Sequence, residues 1–140
     1  MRIGLKTGLM VAGLAIWLSG CSGSESVASA EAQIASFHKQ LDSEDYKAIW
    51  DGAADEMHNF TPQTKLNKFL AAVHKKLGAV VESKQSGWSV NYNTGGKFTN
   101  VVMQTRFEHG TGTESFNYIA VGQQLKLAGY NINSADMMIN

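Results

Sequence analysis

The chain has 140 residues, 44% of them hydrophobic, and 12 basic side chains balance 12 acidic ones. One domain is expected at this length, and the hydrophobic content excludes disorder as the main state, because disordered chains combine low hydrophobicity with high net charge. A formal charge of zero argues against a nucleic-acid partner, since phosphate affinity comes from surplus Lys and Arg. The single Cys permits no internal disulfide, and one Pro against 14 Gly points to regular elements joined by glycine turns.

The N-terminal segment has its own logic. Arg2 and Lys6 make a positive start without an acid, and Thr7 to Leu18 follows without any charge. That apolar stretch is shorter than the roughly 20 residues needed to span a bilayer, but it fits the core of a secretory signal. Leu18-Ser19-Gly20-Cys21 comes directly after it: an apolar residue, two small ones and the only Cys. This run resembles the lipobox of bacterial lipoproteins. The resemblance implies removal of residues 1–20, a diacylglycerol on the Cys21 thiol and further acylation of the new amine. Each buried methylene is worth about 0.8 kcal/mol, so two or three chains hold a protein where one is marginal. Membrane association through covalent lipid at Cys21 is therefore expected. The resemblance also implies that Ser22 after the Cys favours sorting to the outer membrane of a Gram-negative cell envelope; the residue does not fix the leaflet, and the periplasmic face is the expected location. Loss of residues 1–20 removes Arg2 and Lys6 and no acid, so no polybasic patch assists the lipid. Residues 21–29, with the Ser-rich run SGSESVAS from Ser22 to Ser29, read as a lipidated Cys and flexible tether spanning roughly 15 Å.

From residue 30 to 140 the pattern is that of a single domain with a helical half and a sheet half. Ala30 to Leu41 places Ile34, Phe37 and Leu41 on one face, with Gln33, His38 and Lys39 elsewhere around the wheel. Ser43-Glu44-Asp45-Tyr46 supplies an N-cap and first-turn acids for a short second helix that turns Tyr46, Ile49 and Trp50 inward. Asp51 to Phe60 is ambiguous. Thr61-Pro62 then starts a third helix with Leu66, Phe69, Leu70, Val73 and Leu77 at helical spacing, Lys75 and Lys76 in its last turn and Gly78 as its stop.

Beyond Ala79 the period becomes two. Trp88, Val90 and Tyr92 alternate with polar residues, as do Val101, Met103, Thr105 and Phe107, then Phe116, Tyr118 and Ala120, then Leu125 and Leu127. Two-residue loops at Gly95-Gly96, Thr111-Gly112 and Gly122-Gln123 pair Trp88 with Met103, Phe107 with Phe116, and Tyr118 with Leu127. All three choices put one apolar set on one face, a demanding test because a one-residue slip inverts every face. The expected fold class is α+β: three N-terminal helices packed on one face of a four-stranded antiparallel meander, with Trp88, Phe107, Phe116 and Leu127 buried against Leu66, Phe69 and Val73.

Helices carrying Ser43-Glu44-Asp45-Tyr46, the third amphipathic helix, and four strands ending in Leu127-Ala128-Gly129-Tyr130-Asn131-Ile132-Asn133-Ser134 resemble a family of small bacterial lipoproteins. That family is classed as a domain of unknown function with a cystatin-like fold, the class that includes nuclear-transport-factor-like domains. The resemblance implies a single cystatin-like domain over residues 30–140 and leaves activity open, because such folds serve isomerases, dehydratases, transport adaptors and immunity-type proteins.

Candidate chemistry is sparse. His38, His58, His74 and His109 share no ligand spacing, so no metal and no cofactor are expected. No nucleophile elbow, phosphate loop or paired-carboxylate motif occurs. The proposed registers bring His109 opposite Glu114 and Glu114 opposite Asn131, an imidazole, a carboxylate and an amide suited to a candidate ligand site. Those residues flank a hairpin loop, where polar side chains are expected for solvation alone, so Glu114→Gln should shift stability within about 0.5 kcal/mol. The outer sheet face is expected to carry Gln104, Arg106, Asn117, Lys126 and Tyr130, with Ser115 facing Tyr130. The functional expectation is a lipid-anchored, non-catalytic interaction module recognising a protein or envelope component through a sheet face or edge, an immunity or exclusion factor being one form. The alternative is a small-molecule binder or enzyme using the space between helices and sheet. A pocket of about 300 Å³ or more reaching the three polar residues favours the alternative.

Overall fold

In the computed structural model, which describes residues 23–139, five helices and four strands follow in chain order. The signal segment and Cys21 lie outside the described residues. Helix α1 (Gly23–Asp42) buries Val27, Ala30, Ile34, Phe37 and Leu41, alternately three and four residues apart. That stripe begins one heptad earlier than expected, so residues 23–29 form the first turns of α1 and are not a tether. Val27 continues the apolar face, Ser26 is buried beside it, and Glu25 favours the positive end of the helix dipole. His38 follows Phe37 on the same face and is buried, contrary to its expected place on the polar side.

Asp45 caps the short α2 (Tyr46–Gly52), its carboxylate accepting from the Ala48 N–H at 3.2 Å. The ambiguous stretch resolves into the end of α2 and a further helix, α3 (Asp55–Phe60). Helix α4 (Gln63–Leu77) buries Leu66, Leu70, Val73 and Leu77 and stops at Gly78, whose φ of 77° is the left-handed geometry glycine allows. A final turn, α5 (Asp136–Ile139), brings the helix count to five among the described residues rather than the expected three.

Strands β1 (Val80–Asn93), β2 (Gly96–Phe107), β3 (Gly110–Val121) and β4 (Gln124–Asn133) form the antiparallel meander in the order β1-β2-β3-β4. The third hairpin has the expected loop and pairs Tyr118 with Leu127. The other two are displaced. Asn93 Oδ1 accepts from the Gly95 N–H at 2.7 Å, an Asx turn that closes the first hairpin at Thr94-Gly95, so Trp88 faces Val101 and not Met103. The second turn is Glu108-His109, held by their N–H groups donating to Ala79 O at 3.0 Å and Leu77 O at 2.9 Å. Phe107 therefore faces Gly110 and not Phe116. Gly110 and Gly112, read as turn residues, instead give room for Asp136 and Ile132, which lie 2.6 and 2.8 Å from where a Cβ would stand. Both displacements change the pairing by an even number of residues. The faces therefore survive although the partners differ.

Bulges do change faces. One extra residue reverses the in–out alternation beyond it. Register shifts between Gln85 and Gly87 in β1, and between Asn117 and Tyr118 opposite β4, turn Ser83 and Tyr130 toward the helices. Tyr130 thus leaves the expected outer face, and its cross-strand partner is Phe116, not Ser115.

Helix α1 runs antiparallel to β1. Asp42 at its end accepts from the Val80 N–H at 3.1 Å, and Gly23 at its start packs on the Trp88 ring. Fourteen strand residues reach about 46 Å, whereas twenty helical residues reach about 30 Å. The strand outruns the helix that covers it. Trp88 is consequently 51% exposed, against the expectation of burial, and Tyr92 is 73% exposed. The remaining expected core is in place: Phe107, Phe116, Leu127, Leu66 and Val73 are buried, and Phe69 packs against them partly exposed.

Candidate functional site

The three polar residues singled out by the sequence do not meet. His109 occupies the Glu108-His109 turn, with its side chain 63% exposed. Asn131 is exposed and pairs with Ser115 on the outer face, because the bulge opposite Tyr118 inverted the strand that carries it. Glu114 pairs with Met103 and Ile132 and is wholly buried.

Glu114 has a different set of partners, three side chains from α1, β2 and β4 that meet at its carboxylate, with a fourth from β1 behind them. His38 Nε2, from α1, lies 2.8 Å from Oε2. Thr105 Oγ1, from β2, donates to the same oxygen at 2.5 Å. Tyr130 Oη, from β4, donates to Oε1 at 2.8 Å. Ser83 Oγ, from β1, is 2.7 Å from Thr105 Oγ1. Thr105 has one hydroxyl proton and commits it to the carboxylate, so Ser83 is the donor in that outer bond. Burial, then the Glu114 charge, then the hydrogen bond hold the Tyr130 hydroxyl well above its ordinary pKa. Burial and the same charge raise Tyr118.

Aromatic rings enclose the cluster. Phe116 stands edge-on to Phe37 at 5.1 Å and to His38 at 5.9 Å, and Tyr130 lies 4.7 Å from Phe37 and 5.1 Å from Phe116, centroid to centroid. These rings pack together between α1 and the sheet beside the Glu114 carboxylate. A surface cleft of about 240 Å³ between α1 and β1, lined in part by Glu31, His38, Ser83 and Gln85, reaches the outer side of His38 but none of the three predicted residues. In a buried setting of this kind a carboxylate satisfied by three donors fixes the relative positions of α1, β2, β3 and β4. The pattern Ile34, Phe37, His38, Leu41 was a signal for His38, and the inward phase of Thr105 a signal for that residue. Ser83 and Tyr130 depend on bulges and carried none.

The remaining histidines are separate. His58 Nε2 lies 2.8 Å from Trp50 O, with the two rings 4.3 Å apart, and His74 sits on α4. Among the described residues no group of three or more His, Cys, Asp or Glu could hold a metal ion, and no helix is long and apolar enough to cross a membrane.

Two surfaces stand open. The outer sheet face has a shallow depression of about 460 Å³ over Asn100, Val102, Ser115, Asn117, Gly129 and Asn131. Its amides satisfy one another in part, with Asn117 Nδ2 donating to Asn100 Oδ1, and Thr113 Oγ1 to Gln104 Oε1 nearby at 3.0 Å. The second surface is β1, an edge strand with Trp88 and Tyr92 uncovered on its helix side.

No family model and no curated protein matches the chain. Among solved structures it is similar to one described as "Putative Scytalone Dehydratase" from Novosphingobium aromaticivorans, at 12% identity over 80% of this chain and 85% of that chain, with a TM-score of 0.49.

Proposed function

We propose that the protein is a small cell-envelope lipoprotein of cystatin-like fold, anchored by lipid at Cys21, that works as a non-catalytic interaction module. It recognises a protein or envelope component through the open strand β1. The observation that carries this reading is the exposure of Trp88 and Tyr92 on a 14-residue edge strand. Aromatic residues supply large contact area at low entropic cost, and an unpaired edge offers backbone groups to a partner. The aromatic filling around Glu114 supports the same reading, because it leaves that carboxylate no room for a substrate.

The alternative, a small-molecule binder or enzyme, draws support from His38 at the α1–β1 cleft. That cleft falls below the roughly 300 Å³ at which ligand pockets begin, which favours the interaction module. A photo-crosslinking residue at Tyr92, with one at exposed Lys68 on α4 as the comparison, tests the proposal in intact envelopes. Adducts from position 92 and none from position 68 are expected. Equal labelling from both would refute β1 as the recognition surface.

A further inference from the structure

We infer that the Trp88–Tyr92 face of β1 seats in the headgroup interface of the bilayer that holds the acyl chains of Cys21. This rests on the lipoprotein reading above and names the envelope component that β1 meets. The geometry starts at Gly23. Trp88 Cη2 and Cζ3 lie 3.3 Å from where a Cβ on Gly23 would stand, so the indole covers the start of α1. Cys21 is two residues upstream, and two residues reach at most about 7 Å fully extended. The lipid attachment point is therefore tied to the end of the molecule that bears the exposed indole.

Chain direction extends the contact. Because β1 runs antiparallel to α1, the strand passes Trp88 and continues beyond the helix start to Val90 and Tyr92 on the same face. The overhanging tip, closed by the Thr94-Gly95 turn, carries Tyr92 on the same side of the sheet as the Trp88 and Val90 side chains that meet Gly23. Trp and Tyr concentrate at membrane interfaces because an apolar ring with one polar atom suits the boundary between headgroups and acyl chains.

The charge pattern agrees. Residues 83–107 and 115–135 contain no Asp or Glu, while Lys97 and Lys126 lie within them. Lys97 Nζ sits 5.8 Å from the Tyr92 ring centroid, placing a cation beside the aromatic face where lipid phosphates would lie. Glu25, exposed in the first turn of α1, is an acid at the same end. A helix start linked within two residues to an acylated Cys, an uncovered indole on that helix start, and a strand tip without carboxylates describe a surface built to lie on phospholipid.

The test uses the mature acylated protein in vesicles of phosphatidylethanolamine and phosphatidylglycerol, with and without brominated acyl chains. After removal of residues 1–20 the chain keeps Trp50 and Trp88. Bromine quenching present in the wild type and lost in Trp88→Phe is the expected result. The mass of the Cys21 peptide is read on the same sample. Acylated protein whose Trp88 emission ignores bromine overturns the bilayer contact and leaves the anchor standing, whereas an unacylated Cys21 overturns both. A Trp88 shielded from bromine in a chain that sediments as a dimer assigns the face to a second copy and likewise overturns the inference.

Discussion

Replacing Glu114 by Gln is the sharpest probe of the buried cluster. The carboxylate accepts from His38 and Thr105 on one oxygen and from Tyr130 on the other. The amide keeps one acceptor oxygen, which retains two donors if it takes the Oε2 position. Its NH2 then faces the Tyr130 hydroxyl, whose proton loses its partner inside the protein. A buried donor left unsatisfied costs about 1–3 kcal/mol, and the two retained bonds lose the strengthening that a charged acceptor provides. Because Glu114 is wholly buried, solvent screening does not reduce these terms. The expected loss is about 2–4 kcal/mol, a large share of the roughly 5–15 kcal/mol typical of a domain. Urea denaturation of the chain beginning at Ser22, followed by circular dichroism and tryptophan fluorescence, measures it. A Glu114→Gln, Tyr130→Phe double-mutant cycle should show coupling, since the two side chains share one bond. A loss under about 0.5 kcal/mol, the value expected of a hairpin residue, would refute the network.

Three further outcomes are expected. Phe116→Ala should cost about 3–5 kcal/mol because the ring is buried among four others, whereas half-exposed Trp88→Ala should cost about 1 kcal/mol or less; equal losses in chemical denaturation would contradict the cover that α1 provides. Tyr118 and Tyr130 hold raised pKa values in the folded state, so the unfolded chain releases their protons first; stability is full below about pH 10, falls as pH rises above it, and falls less steeply in Tyr130→Phe, as melting curves between pH 9 and 11.5 should record. Cys21→Ser should abolish palmitate labelling and release the protein from membranes, and unchanged labelling would remove the lipoprotein reading.

Most of the architecture was legible in the residue order because side-chain period is a local property. Helical spacing identified the cores of α1 and α4, and alternation identified four strands and the apolar face of three of them. Errors of two or six residues in hairpin pairing left those faces intact, since only an odd shift exchanges them. The candidate site was less legible. Thr105 and Glu114 were placed on the inner face, but His38 was assigned to the polar side of α1, and the partners of Glu114 were misassigned to His109 and Asn131.

What escaped the sequence depends on contacts between distant segments. The Glu108-His109 turn sits where Leu77 and Ala79 offer their carbonyls, and Gly110 and Gly112 admit Asp136 and Ile132. Ser83 and Tyr130 face inward only because bulges in the two edge strands reverse an alternation that composition alone would continue. Trp88 remains uncovered because β1 is longer than α1, a difference in rise per residue that becomes visible when the two are laid together. Periodicity chooses the face of an element; packing chooses where the element ends and which side chains meet across it.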